Sequence, residues 1–148
     1  MVVDPTQFRG PIAPESSAVI ADRLAVCRLA PTYALGIDSR DEALVRSVFA
    51  PDARLRGALG EASADEYIPR LLAGVARYEA TMHNITNQYA VIDGDDADVW
   101  SYAVALHFVA GGADGTDLAM GVQYRDRARR TAAGWVVARR DTVMLWSR

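Results

Sequence analysis

The chain has 148 residues, of which 51% are hydrophobic and 24% charged, with a formal net charge of -3. That length suits one domain rather than two, and the balance excludes a chain that is mainly disordered. The slight negative charge gives no general attraction to nucleic acid or to an anionic membrane.

Residues 1–15 hold Pro5, Pro11 and Pro14 with little periodicity, and read as an extended arm before a single domain over 16–148. A helix is predicted to start at Ser16 or Ser17, either of which can cap it. Ile20, Leu24, Cys27, Pro31 and Leu35 form one apolar stripe, and Val19, Val26, Ala30, Tyr33 and Ile37 an adjacent one. A helix so widely apolar is expected to be mostly buried, with Pro31 kinking or splitting it. Ser39 to Glu42 has the spacing of a capping box, opening a short helix through Val48 and Phe49 that Pro51 ends. A short strand over 53–59 follows. Ser63 to Glu66 is a second capping box, and the next helix carries Leu71, Leu72 and Val75, with Pro69 placed to shift its start.

From about residue 80 the apolar period changes to two. Strands are predicted at 80–92, 97–110, 116–130 and 134–147, turning at Asp93-Gly94, Gly111-Gly112 and Ala133-Gly134. Helices followed by an antiparallel meander give an α+β fold, in which a curved sheet around a long helix encloses a pocket.

The chemistry available is narrow. All 16 basic residues are arginine, so lysine Schiff-base chemistry is excluded. The single cysteine, Cys27, permits no intrachain disulfide. With no apolar run long enough to span a membrane and no signal-like start, the expected location is cytoplasmic. Two histidines without a nearby cysteine give no zinc pattern, and Asp93, Asp95, Asp96 and Asp98 lack the spacing of a calcium loop. There is no phosphate loop and no nucleophile elbow. The arginines from Arg125 to Arg130 read as a solvated face. No metal, cofactor, nucleic acid or membrane is expected.

Both histidines, His83 and His107, fall in predicted strands. His107 shares a strand face with Ser101, Ala103 and Ala105, whose small side chains leave room for a ligand. Trp100, Tyr102, Leu106 and Phe108 occupy the other face, fit for core or for a subunit contact that would make a homodimer or homotrimer. Histidine is the obvious general acid or base near neutral pH; the alternative is a structural imidazole bonded to backbone. Tyr33 lies on the buried helical stripe, and Asp38 stands at the helix end, five residues on and out of line with it.

Four segments read in order carry a resemblance: Tyr33 to Asp41 leading to Phe49-Ala50-Pro51-Asp52-Ala53; Thr81-Met82-His83-Asn84-Ile85-Thr86-Asn87; Gly94 to Trp100; and Gly121 to Asp126 followed by Gly134 to Arg140. Over residues 16–147 the chain resembles the SnoaL-like, scytalone dehydratase-like branch of the nuclear transport factor 2-like superfamily. The resemblance implies a cone-shaped barrel, N-terminal helices packed over a strongly curved, mostly antiparallel sheet. It also implies cofactor-free chemistry in a deep apolar pocket. In the dehydratases of that family a helical tyrosine, an aspartate just after it and a strand histidine do the work, and scytalone dehydratase adds a second histidine on the next strand. Tyr33, Asp38, His83 and His107 match those positions, and Gln123, Asn87, Trp146 and Met144 are the expected substrate contacts. The segment Arg54 to Ala58 lacks the base carboxylate of ketosteroid isomerases. The implied activity is a dehydratase acting on a hydroxylated cyclic ketone, polyketide or similar apolar metabolite. Alternatives are a cyclase or isomerase using the same pocket, or a non-catalytic binding module.

Overall fold

The computed structural model describes residues 3–110 and 117–148. The expected turn at Gly111-Gly112 lies outside them. After a 3₁₀ turn at Pro5–Phe8 come α1 (Ser17–Cys27), α2 (Leu29–Ser39) and α3 (Glu42–Ser47). Next are β1 (Phe49–Gly57), β2 (Gly60–Ser63) and α4 (Ala64–Val75), and then four long strands: β3 (Ala80–Asp93), β4 (Asp96–Phe108), β5 (Leu118–Thr131) and β6 (Gly134–Ser147). The N-terminal arm is not featureless. Asp4 caps its turn, Val3 is buried, and Phe8 meets Tyr89 edge-on.

The six strands form one sheet in the order β2-β1-β6-β5-β4-β3, antiparallel except where β1 runs parallel to β6. The sheet is not closed into a barrel. Register shifts between Ile85 and Gln88, between Gly121 and Val122, and between Arg127 and Ala128 bend it. The helices pack into the concavity, giving the α+β cone that the resemblance implied.

The long apolar helix is split at Arg28, three residues before Pro31, which sits in the first turn of α2. Pro31 has no N–H for the Cys27 carbonyl; Gln88 Nε2 donates to that oxygen instead at 2.8 Å. Only one of the two stripes is core. Val26, Ala30, Tyr33 and Ile37 are buried, whereas Ile20, Leu24 and Leu35 remain exposed.

The cap of α3 is Asp41, not Ser39. Arg40 adopts a left-handed conformation at φ 57° that ends α2, and the extended Asp41 then accepts from Leu44 N–H at 3.0 Å. Gly36 is required at that corner, because a methyl group there would press on the Val45 backbone. The Ser63–Glu66 capping box is present in full, and Pro69 lies inside α4 without moving its start. The arginines from Arg127 to Arg130 are paired, Arg127 with Asp96 and Asp98, Arg129 with Asp52, and Arg130 with Asp22 and Asp95. Among the described residues no helix is long and apolar enough to cross a membrane, and no acidic, histidine or cysteine cluster could hold a metal ion.

Candidate active site

Between α2, α4 and the concave sheet lies a cavity of about 340 Å³. Tyr33 and Ile37, one helical turn apart on α2, form one wall. Tyr67, Leu71 and Val75 from α4 form another, and Leu55, Val122, Tyr124 and Met144 line the sheet side. His83, His107 and Arg140 are the charged or titratable groups that interrupt this apolar lining beside the tyrosines.

Asp38, at the C-terminal end of α2, does not line the cavity but braces His83 from behind. Its Oδ1 lies 2.7 Å from His83 Nδ1 and accepts from Thr81 Oγ1 at 2.9 Å, while Oδ2 accepts from the His83 backbone N–H at 2.8 Å. Three contacts to one carboxylate lock the imidazole in place. A proton on Nδ1 facing the carboxylate leaves Nε2 with a free lone pair. An imidazole so oriented can act chemically as a general base.

His107, on the neighbouring strand, has its ring 5.4 Å from that of His83 and 4.8 Å from that of Tyr78. Burial holds its pKa below the ordinary 6.5, and the nearby His83 adds to that. Its buried Nδ1 has no hydrogen-bond partner among the described residues.

Arg140 and Asp126 pair across β5 and β6. Arg140 Nε and Nη2 donate to the Asp126 carboxylate at 2.7 and 2.6 Å, and both side chains are almost wholly buried. The guanidinium lies over the rings of Tyr33 and Tyr124, at 4.4 and 4.5 Å. Burial alone would favour its neutral form, but the Asp126 charge outweighs that and drives the Arg140 pKa up. Burial likewise pushes the Tyr33 phenol up to about 12, so its hydroxyl stays protonated.

A family model for the SnoaL-like domain matches residues 18–141. The chain belongs to that family. Among solved structures, a Kribbella flavida protein is similar at a TM-score of 0.80 and 22% identity, with 88% of this chain and 95% of that one covered. A Novosphingobium aromaticivorans protein provisionally described as a scytalone dehydratase is similar at 0.79 and 18% identity, covering 90% and 91%. The hexachlorocyclohexane dehydrochlorinase LinA-type3 of Novosphingobium barchaimii is similar at 0.76 and 19% identity, covering 88% and 90%. These likenesses show the fold. No curated protein matches the chain by sequence.

In this SnoaL-like domain the structure brings Tyr33, His83, His107 and Met144 to one cavity, with Asp38 behind His83. Three expected contacts lie elsewhere. Gln123 sits between the inward Val122 and Tyr124, so it faces the outer side of the sheet, where it accepts from Arg125 Nε at 2.6 Å. Asn87 is exposed in the register shift between Ile85 and Gln88, which turns Gln88 inward instead. Trp146 lies over Gly121 on the outer face and is 43% exposed. Reasoning from sequence missed Arg140, Asp126 and Tyr124. One signal was available: Asp126 has the strand parity of Val122 and Tyr124, and an acid on an inward face demands a buried cation.

Proposed function

We propose that this SnoaL-like domain is a cofactor-independent lyase, a dehydratase acting on a small, largely apolar carbonyl compound with a hydroxyl β to the carbonyl. The family and fold support an enzymatic or ligand-binding role at large. The observation that carries the finer reading is the Asp38–His83 pair set against an apolar cavity, with His107 one ring away. His83 Nε2 takes the proton α to the carbonyl, and the electron pair moves toward the carbonyl oxygen as an enolate. Collapse of the enolate forms the new C=C bond and expels the hydroxyl, which His107 holds. The proton carried by His83 joins it, water leaves, and both imidazoles return to their starting state. Tyr33, a neutral phenol, is a donor at the cavity wall. That one neighbour is described as a scytalone dehydratase and another as a dehydrochlorinase is in keeping with elimination chemistry.

The test is a screen of hydroxylated cyclic ketones read by product mass. Elimination loses the mass of water, whereas isomerisation conserves it. On a substrate so found, His83→Ala is expected to lower kcat/KM by about 10²–10⁴-fold. A loss below about tenfold in a variant that folds normally would overturn the assignment of His83 as the base.

A further inference from the structure

Arg140 has a donor to spare. Its Nε and Nη2 are used by Asp126, yet Nη1, also buried, has no partner among the described residues. A buried charged donor left unpaired is costly, and such groups are rare. The guanidinium cannot readily swing to find an acceptor, because the rings of Tyr33, Phe49 and Tyr124 surround it at 4.4, 5.3 and 4.5 Å. Arg140 borders the cavity, and the groups around it there are largely aromatic or aliphatic.

We infer that Arg140 Nη1 is the anchoring donor for a neutral carbonyl oxygen of the ligand, so that the cavity selects ring ketones over both hydrocarbons and carboxylates. The inference rests on reading the cavity as the substrate site. Neutrality follows from Asp126, which already cancels the Arg140 charge. A ligand carboxylate would bring an uncompensated charge into an apolar space, whereas a carbonyl oxygen needs only a donor. If the α-proton is then removed, the oxygen gains negative charge while His83 gains a positive one, so the net charge of the site is unchanged and the fixed guanidinium donor binds that oxygen more strongly. Arg140 thereby orients the ketone so that its α-carbon can face His83.

The experiment uses three two-ring probes on the whole protein: 1-tetralone, its hydrocarbon counterpart tetralin, and 2-naphthoate. Hydrophobic transfer alone favours tetralin. With Nη1 as anchor, 1-tetralone is expected to bind about tenfold tighter than tetralin by calorimetry, and tighter than 2-naphthoate. The preference for the ketone is expected to vanish in the paired variant Asp126→Leu/Arg140→Met. Should that variant not fold, the carbonyl stretch of 1-tetralone bound to the unmodified protein decides. A frequency near the value in water or below it supports the anchor, and one nearer the value in hexane overturns it. Tetralin binding as tightly as 1-tetralone overturns the anchor and leaves the cavity reading standing. Tighter binding of 2-naphthoate overturns the neutral-carbonyl selection. Binding by none of the three overturns the cavity reading together with the anchor.

Discussion

Asp38 and Asp126 each hold a basic side chain at the cavity, one from the end of a helix and the other from within the sheet. The helical pair is partly open: Asp38 is 25% exposed, and its partner is an imidazole that can exchange a proton. The sheet pair is sealed at 3% and 2% exposure, and its partner, a guanidinium, keeps its charge at any ordinary pH. Asp38 also reaches across to β3 through Thr81 and the His83 backbone, so its position is secured at little cost in desolvation. Asp126 is secured by one bidentate partner in a dry, aromatic surround. On the proposed reading the difference separates two roles: a group whose proton moves, and a charge that does not.

The comparison is strained most by removing a single partner of the sealed pair. Arg140→Met strands Asp126 in the interior and is expected to destabilise the protein by about 3–5 kcal/mol. Adding Asp126→Leu is expected to recover most of that loss, because two well-packed apolar side chains replace the pair. Denaturant unfolding of both variants checks this. A mild effect of Arg140→Met alone would mean that water reaches the pair and that the contrast with Asp38 is false.

Asp38→Asn probes the open pair. Its stability loss is expected to be smaller, about 1–2 kcal/mol, since an amide oxygen still accepts part of the bonding. Its effect is expected in catalysis instead: a loss of about 10²-fold or more in kcat on a substrate found by the screen, with KM little changed. A change confined to KM would place Asp38 among ligand contacts and remove the distinction drawn between the pairs.

His107 belongs to neither pair, but it reports on the field between them. Its pKa lies below the ordinary 6.5, mainly through burial and then through the nearby His83. The unfolded chain therefore takes up that proton first as pH falls. The His107 contribution to stability is full above about pH 6.5 and is lost as pH drops below it. His107→Phe is expected to flatten the fall in Tm between about pH 7.5 and 5.5. An unchanged slope would show that His107 is freely solvated and that the cavity is wetter than its lining implies.

The open pair was legible in the sequence and the sealed pair was not, for physical reasons. Tyr33, Asp38 and His83 sit in short segments whose order carries the family resemblance, and the packing of the α2 end onto β3 brings Asp38 to His83. Element types were legible for a similar reason. The Ser63–Glu66 box and the alternating strands are local signals, and local signals survive without knowledge of tertiary contacts. Asp126 and Arg140 instead meet across a hairpin whose register shifts between Arg127 and Ala128. Sixteen arginines also make any one of them inconspicuous. The same kind of shift on β3 exchanged Asn87 for Gln88, because one extra residue reverses which side chain faces in. Asp41 replaced Ser39 as a cap through the left-handed turn at Arg40, a conformation that arginine rarely adopts and that local propensity therefore does not foresee.

The finest division between the pairs falls on Thr81. Its hydroxyl donates to Asp38 Oδ1, the same oxygen that lies against His83 Nδ1. Thr81→Val keeps the side-chain shape, removes that donor and leaves the carboxylate with both contacts to His83. The expected stability change is about 0.5–1.5 kcal/mol, and the expected change in kcat is below about tenfold, with His83 still oriented. The informative outcome lies in the balance between the two. A loss of activity as large as that of Asp38→Asn would mean that the Thr81 hydroxyl, not the fold of α2 onto β3, sets the position of the carboxylate. The open pair would then be a triad whose third member is a strand threonine, and its orientation would depend on a single hydroxyl donor. The sealed pair has no counterpart to such a member, since its aromatic surround holds Arg140 from three sides.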